Sequence, residues 1–194
     1  MVWRRLLCVP AVSLVAAVSI GAQVSRPAAV RVSDVHPRAF QRAAESPNGR
    51  FIVVSGDSGL YRYDRTKKNW TRLSDEVLGM PAWSPDGRFL AFARRDATRA
   101  SYIWILPIDS SSGLTGGPER RVTVRTAMRP AWSRDGRQLA FVSMDSGLMH
   151  LWVAPFNGGD ERLVAKVAGG SPDAPAWSAD GKSIYFTYAA PKAP

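Results

Sequence analysis

The phrase PAWSPDGRFLAF at residues 81–92 returns as PAWSRDGRQLAF at 130–141 and as PAWSADGKSIYF at 175–186. An altered copy, AAESPNG, precedes them with Glu45 in place of the tryptophan and Asn48 in place of the aspartate. The Ser-x-x-Gly stretches begin at Ser46, Ser84, Ser133 and Ser178, spaced by 38, 49 and 45 residues. A period of this length is one four-stranded supersecondary unit. Such a unit cannot bury its flat faces alone, so its neighbours must stack on it.

Each unit reads as four short strands. PAWS is the first. SPDG then makes a type I turn, with Ser84 at the opening position, Pro85 presetting φ, Asp86 following, and Gly87 taking the left-handed geometry. RFLAFA is the second strand, nearly continuous in apolar character, as suits burial on both faces. After a polar loop, YIWILPI is the third and RRVTVRT the fourth. LYRYD and HLWVAPF stand in the third place in the other units, and NWTRL and ERLVAK in the fourth. The last unit stops after its second strand, giving three full units and a half. No stretch after the first 22 residues has helical periodicity over ten residues. The expected fold class is all-β.

The N-terminus has a different character. MVWRR is basic, LLCVPAVSLVAAVSI carries no charge, and GAQ supplies small residues. This is the order of a secretory signal peptide, and the run is short for a membrane span. Residues 1–22 are therefore expected to be a leader, 23–40 a linker with a closing strand near Val30 and Val32, and 41–194 the repeat domain. Cys8 is the sole cysteine, so the exported domain is expected to rest on packing without disulfides. The net charge is +10; losing the leader removes Arg4 and Arg5 and no acid, which leaves +8. The basic residues are scattered, with no basic helix and no nucleic-acid motif, so nucleic acid is not an expected partner.

The string Pro-x-Trp-Ser-x-Asp-Gly, followed by a basic residue and an apolar strand, resembles the PD40 (WD40-like) repeat of TolB-like β-propellers. That repeat also occurs in the propellers of prolyl-oligopeptidase-type peptidases. The resemblance covers residues 41–188 and implies a radial array of four-stranded antiparallel blades. It implies that Trp83, Trp132 and Trp177 pack between blades. It further implies that Asp86, Asp135 and Asp180, with Gly87, Gly136 and Gly181, shape the tight turns. TolB-like propellers have about six blades, whereas this sequence has material for four. Three arrangements would protect the open ends: closure by the strand near Val30, completion by a second chain, or a longer protein of which this is a part.

No catalytic constellation stands out. GDSG at 56–59 lies between two strands of one unit, where Gly and Asp make a turn, and no Gly-x-Ser-x-Gly elbow is present. His36 and His150 are the only histidines and lack cysteine partners, so neither a metal nor another cofactor is expected. The remaining candidate is a loop surface carrying Arg94, Arg95, Arg99, Arg125, Met128 and Arg129, with Asp75 and Glu76 beside it. The expectation is an exported, non-enzymatic propeller, periplasmic or secreted, that binds a protein of the cell envelope. The alternative is the propeller portion of a secreted prolyl-oligopeptidase-type serine peptidase whose catalytic domain lies outside this chain.

Overall fold

The computed structural model describes residues 40–56, 59–75, 77–145, 147–166 and 171–189. The leader, the strand expected near Val30, Asp57 and Ser58 of GDSG, and Glu76 lie outside the described residues.

Three four-stranded antiparallel sheets and one two-stranded sheet follow in chain order. Blade one holds β1 (Phe40–Glu45), β2 (Phe51–Gly56), β3 (Gly59–Asp64) and β4 (Asn69–Ser74). Blade two holds β5 (Leu78–Trp83), β6 (Phe89–Arg95), β7 (Ser101–Pro107) and β8 (Arg120–Arg121). Blade three holds β9 (Met128–Trp132), β10 (Gln138–Asp145), β11 (Leu148–Pro155) and β12 (Arg162–Ala165). The last sheet is the hairpin β13 (Ser171–Trp177) and β14 (Ile184–Ala189). Within each sheet every strand pairs with the next, and β1, β5, β9 and β13, the first strands of successive sheets, lie side by side.

The repeated turn is one hydrogen-bond network built four times. Ser84 donates its hydroxyl to Asp86 at 2.6 Å and accepts the Phe89 N–H at 2.9 Å, while Asp86 accepts the Arg88 N–H at 3.1 Å. Ser133 with Asp135, and Ser178 with Asp180, repeat the Ser–Asp contact at 2.6 Å. Asn48 serves as well as aspartate, taking the Ser46 hydroxyl at 2.7 Å, because the turn needs a side-chain oxygen rather than a charge. These bonds hold the Asp135 and Asp180 carboxyls below the usual carboxylate range, the serine hydroxyl being the main cause. The closing glycines, Gly49, Gly87, Gly136 and Gly181, have φ of 70°, 70°, 69° and 71°, a region open to glycine at little cost.

Side-chain size alternates along the second strands of blades two and three. Leu90 and Phe92 of β6 turn toward blade one and join Val53 and Leu60. Ala91 and Ala93 turn toward blade three and receive Leu139 and Phe141. Between blades two and three, large residues of β10 thus meet the alanines of β6. All four β6 residues are fully buried.

The tryptophans then join each first strand to the one before it. Trp83 donates its indole N–H to the Ala44 carbonyl at 3.4 Å, Trp132 to Ala82 at 3.0 Å, and Trp177 to Ala131 at 3.1 Å. Each acceptor immediately precedes the tryptophan position of its own unit. Glu45, in that position in blade one, pairs instead with Arg65 at 2.6 Å.

Two local departures from the sequence expectation have physical causes. The fourth strand of blade two shrinks to Arg120–Arg121. Beyond it Val122 donates to the Ile103 carbonyl at 2.8 Å and the buried Thr123 hydroxyl takes the Ile103 N–H at 3.0 Å. A side chain thus replaces the ladder, and the chain leaves the sheet. Met128 and Arg129, expected on the following loop, consequently open β9. In blade one, Arg62 and Asp64 occupy the places that Ile105 and Pro107 hold in blade two. Asp64 is fully buried, paired with Arg50 at 2.9 Å and Arg62 at 3.3 Å. The Arg50 hydrogen bond, against the opposing effect of burial, holds its carboxyl at about 2.

Replacing Trp132 by Phe keeps most of the ring packing and removes the bond to Ala82. The expected loss is about 1–2 kcal/mol, read in urea unfolding as a lower midpoint with an unchanged slope.

Candidate functional site

The six loop residues singled out in the sequence do not converge on one patch. Arg94, at the end of β6, stacks over Trp104 with its guanidinium carbon 3.8 Å from the ring centre and pairs with Glu119. Arg95 is exposed beside it, and both line a hollow of about 480 Å³ with Asp75 and Asp96. Arg99 sits exposed in the turn that Asp96 organises, with φ of 65°. Arg125 stacks 3.5 Å over Trp152 and pairs with Glu161 at 2.6 Å. Met128 packs against the core between blades two and three. Arg129 pairs with Asp173 at 2.7 Å, bridging β9 to β13. Three of the five arginines thus have an acidic partner, and the rim field is largely neutralised where it stands. Arg129–Asp173 is the most exposed of the three, and a pair of that kind contributes about 0–1 kcal/mol.

A different surface has the form of a binding groove. The first strands of blades two, three and four border a hollow of about 610 Å³. Its repeated lining is the Pro-x-Trp of the phrase itself: Pro81 with Trp83, Pro130 with Trp132, and Pro175 with Trp177. Pro47, Pro85 and Arg134, from the position after the turn serine, close one end. The residue before each proline differs from blade to blade, being Met80, Arg129 and Ala174. The groove therefore has a constant apolar frame and three variable positions, one apolar, one cationic and one small. Sequence reasoning placed variation in the loops. The signal for the groove was the residue just before each Pro-Ala-Trp-Ser.

The backbone is strained at two of these variable positions. Arg129 has φ of 58° and Ala174 has φ of 46°, although neither is glycine. A residue before proline is already restricted, and the left-handed region costs a residue with a Cβ roughly 1–2 kcal/mol. Asp173 stands at the centre of the strain, since its carboxylate takes the Ala174 N–H at 2.6 Å and pairs with Arg129. Bulges in β9 and β13 accompany these conformations, aiming side chains where a regular strand would not.

The groove supplies apolar contact and two guanidiniums, those of Arg129 and Arg134. The serines and aspartates of the repeated phrase are engaged with each other and with backbone N–H groups. Among the described residues, no three His, Cys, Asp or Glu side chains converge as a metal site would require.

Arg129→Gly and Arg129→Ala both remove the ion pair, but only glycine accepts the backbone conformation. The glycine variant should be the more stable of the two by about 1 kcal/mol in chemical denaturation. The reverse order would contradict the assigned strain.

No family model matches the chain, and no curated protein sequence matches it. Solved structures do. A TolB-assigned protein of Agrobacterium tumefaciens superposes with a TM-score of 0.67 at 24% identity, over 78% of this chain and 54% of that one. TolB from Acinetobacter baumannii gives 0.65 at 20% identity, over 80% and 39%. A puromycin-hydrolyzing peptidase of Mycobacterium tuberculosis gives 0.55 at 15% identity, over 77% and 28%. The chain therefore spans little more than half the length of the first of these and less of the others. The fold is the all-β architecture of four-stranded antiparallel blades found in the TolB-like propellers.

Proposed function

We propose that this chain is an exported, non-catalytic propeller segment that binds another protein of the cell envelope. The docking element is an extended segment of the partner, seated in the groove bordered by β5, β9 and β13. The observation that carries this reading is the groove's composition: a proline and tryptophan frame with one variable residue per blade before the proline. Aromatic and proline-lined grooves suit extended segments, because such segments lose little conformational freedom on binding. The groove borders rigid inner strands rather than long loops, which holds the variable side chains in fixed positions. The leader-like N-terminus supports export, and the net charge of +8 left after loss of the leader's Arg4 and Arg5 favours an acidic partner. The competing reading, the propeller portion of a secreted peptidase, places its chemistry outside the described residues and uses the same face to admit substrate.

A photo-crosslinking amino acid at Met80, which is 39% exposed at the groove, tests the reading. In envelope extract it should capture a discrete partner, and the same group at Lys67, on the outer turn of blade one, should not. Glutamate at Arg134 should lower that capture by roughly tenfold, about 1.4 kcal/mol. Equal labelling at both positions, or no capture alongside hydrolysis of peptide substrates, would sink the proposal.

A further inference from the structure

Blade one carries buried charge at places where its sister blades are apolar. The cross-strand pair Val53–Arg62 corresponds to Ala91–Ile105 in blade two and to Ala140–Val153 in blade three. Likewise Phe51–Asp64 corresponds to Phe89–Pro107 and Gln138–Pro155. Ile105 belongs to the core between blades two and three, so that seam closes without an ion pair. Well-packed apolar side chains commonly hold such a seam at least as firmly as buried charges do. Stacking alone therefore does not account for Arg62 and Asp64.

The carboxylate between them is already occupied. Asp64 Oδ1 accepts the Thr66 N–H at 2.8 Å, the Lys67 N–H at 3.1 Å and Arg50 Nε–H at 3.4 Å. Its Oδ2 accepts Arg50 Nη2–H at 2.9 Å. A carboxylate has room for about four donors, so Asp64 serves Arg50 and the turn after β3. Arg62 is left short. Its side chain is only 4% exposed, and Nη2 donates to the Thr71 hydroxyl at 2.7 Å. Nη1 lies 3.3 Å from Asp64 Oδ2 without the alignment of a hydrogen bond, and Nε has no acceptor either.

The charge count is unbalanced as well. Two guanidiniums share one carboxylate, and among the described residues no second acid pairs with either arginine. The Phe51 ring meets both cations, at 4.8 Å for Arg50 and 5.5 Å for Arg62. Its π face offsets only part of the excess. A buried cation with orphaned donors has lost its hydration without replacement. The seam is open to solvent on one side, where the Arg50 side chain is 30% exposed. Beside that opening lies the loop after β7. Ser111 of this loop accepts Arg50 Nη1–H at 2.7 Å through its carbonyl, and Gly113 rests on Phe51, where a Cβ would come within 2.6 Å of the ring.

We infer that Arg62 binds a small monovalent anion in the seam between blades one and two. Nε–H and Nη1–H are the donors, and the uncompensated guanidinium charge is the attraction. A water molecule would take the same donors but leave the charge uncompensated, so the charge count favours the anion. The ion is a ligand of the folded seam and stabilises blade one against blade two. This site is separate from the inner groove, and its test does not depend on the groove.

Chloride is the probe, with gluconate at equal ionic strength as the bulky comparison. The full chain should broaden the ³⁵Cl resonance in a saturable way. Its urea midpoint should rise as chloride replaces gluconate. Arg62→Ile installs the residue that blade two uses and keeps the Arg50–Asp64 pair; it should lose both effects. Arg88→Gln, at an exposed arginine, should keep them. Crystals of the unaltered chain soaked in bromide should show an anomalous peak within hydrogen-bond distance of Arg62 Nε and Nη1, a readout independent of any variant. Each of three results would overturn the site: equal midpoints in chloride and gluconate, chloride effects that survive in folded Arg62→Ile, or a water peak without anomalous signal beside Arg62.

Discussion

The interaction on which the rest of the structure depends is the indole N–H of one blade donating to the alanine carbonyl of the blade before. It occurs at Trp83, Trp132 and Trp177. Apolar faces attract each other without direction, so burial alone would not set how far one blade turns from the next. A bond between fixed points on successive inner strands supplies that direction. The acceptor always lies one residue before the tryptophan position, and the same step therefore repeats along the stack. Glu45 interrupts the series in blade one, where a carboxylate has no proton to donate and takes Arg65 instead.

Two further consequences follow from the same phrase. The alternation of large and small residues on β6 and β10 lets Leu139 and Phe141 pack on the surface left by Ala91 and Ala93, which brings the two sheets together. The prolines two residues before each tryptophan line the groove, so the sequence that builds the stack also builds its inner surface. Binding preference is then left to the residue that precedes each proline. Strain at Arg129 and Ala174 is concentrated at those positions, where it directs side chains rather than weakening the core.

Much of the fold was legible because it repeats. Ser-x-Asp-Gly between apolar strands specifies a hairpin by local hydrogen bonding, and three copies with one Ser-x-Asn-Gly variant at blade spacing specify a stack of sheets. What was not legible depends on contacts between units. Nothing in RRVTVRT announces that Thr123 will satisfy Ile103 through its side chain and end the ladder at Arg121. The arginines at 94, 125 and 129 look like a basic cluster in the sequence, yet their acidic partners, Glu119, Glu161 and Asp173, lie 25 to 44 residues away. Arg62 and Asp64 look like the solvent side of a strand until the register shows them facing blade two. The groove was written in the phrase itself, but only the side-by-side placement of the inner strands shows that its prolines share a surface.

The central claim is that the three indoles key the blades together. Specific ¹⁵N labelling of tryptophan, with exchange of each indole N–H followed in solution, tests it most directly. The account predicts that the Trp83, Trp132 and Trp177 protons are protected in the folded chain, Trp132 and Trp177 more strongly than the longer-bonded Trp83. It also predicts that protection at Trp132 falls to the free-indole rate only with global unfolding. Exchange of the Trp132 and Trp177 protons at the free-indole rate under native conditions would contradict it.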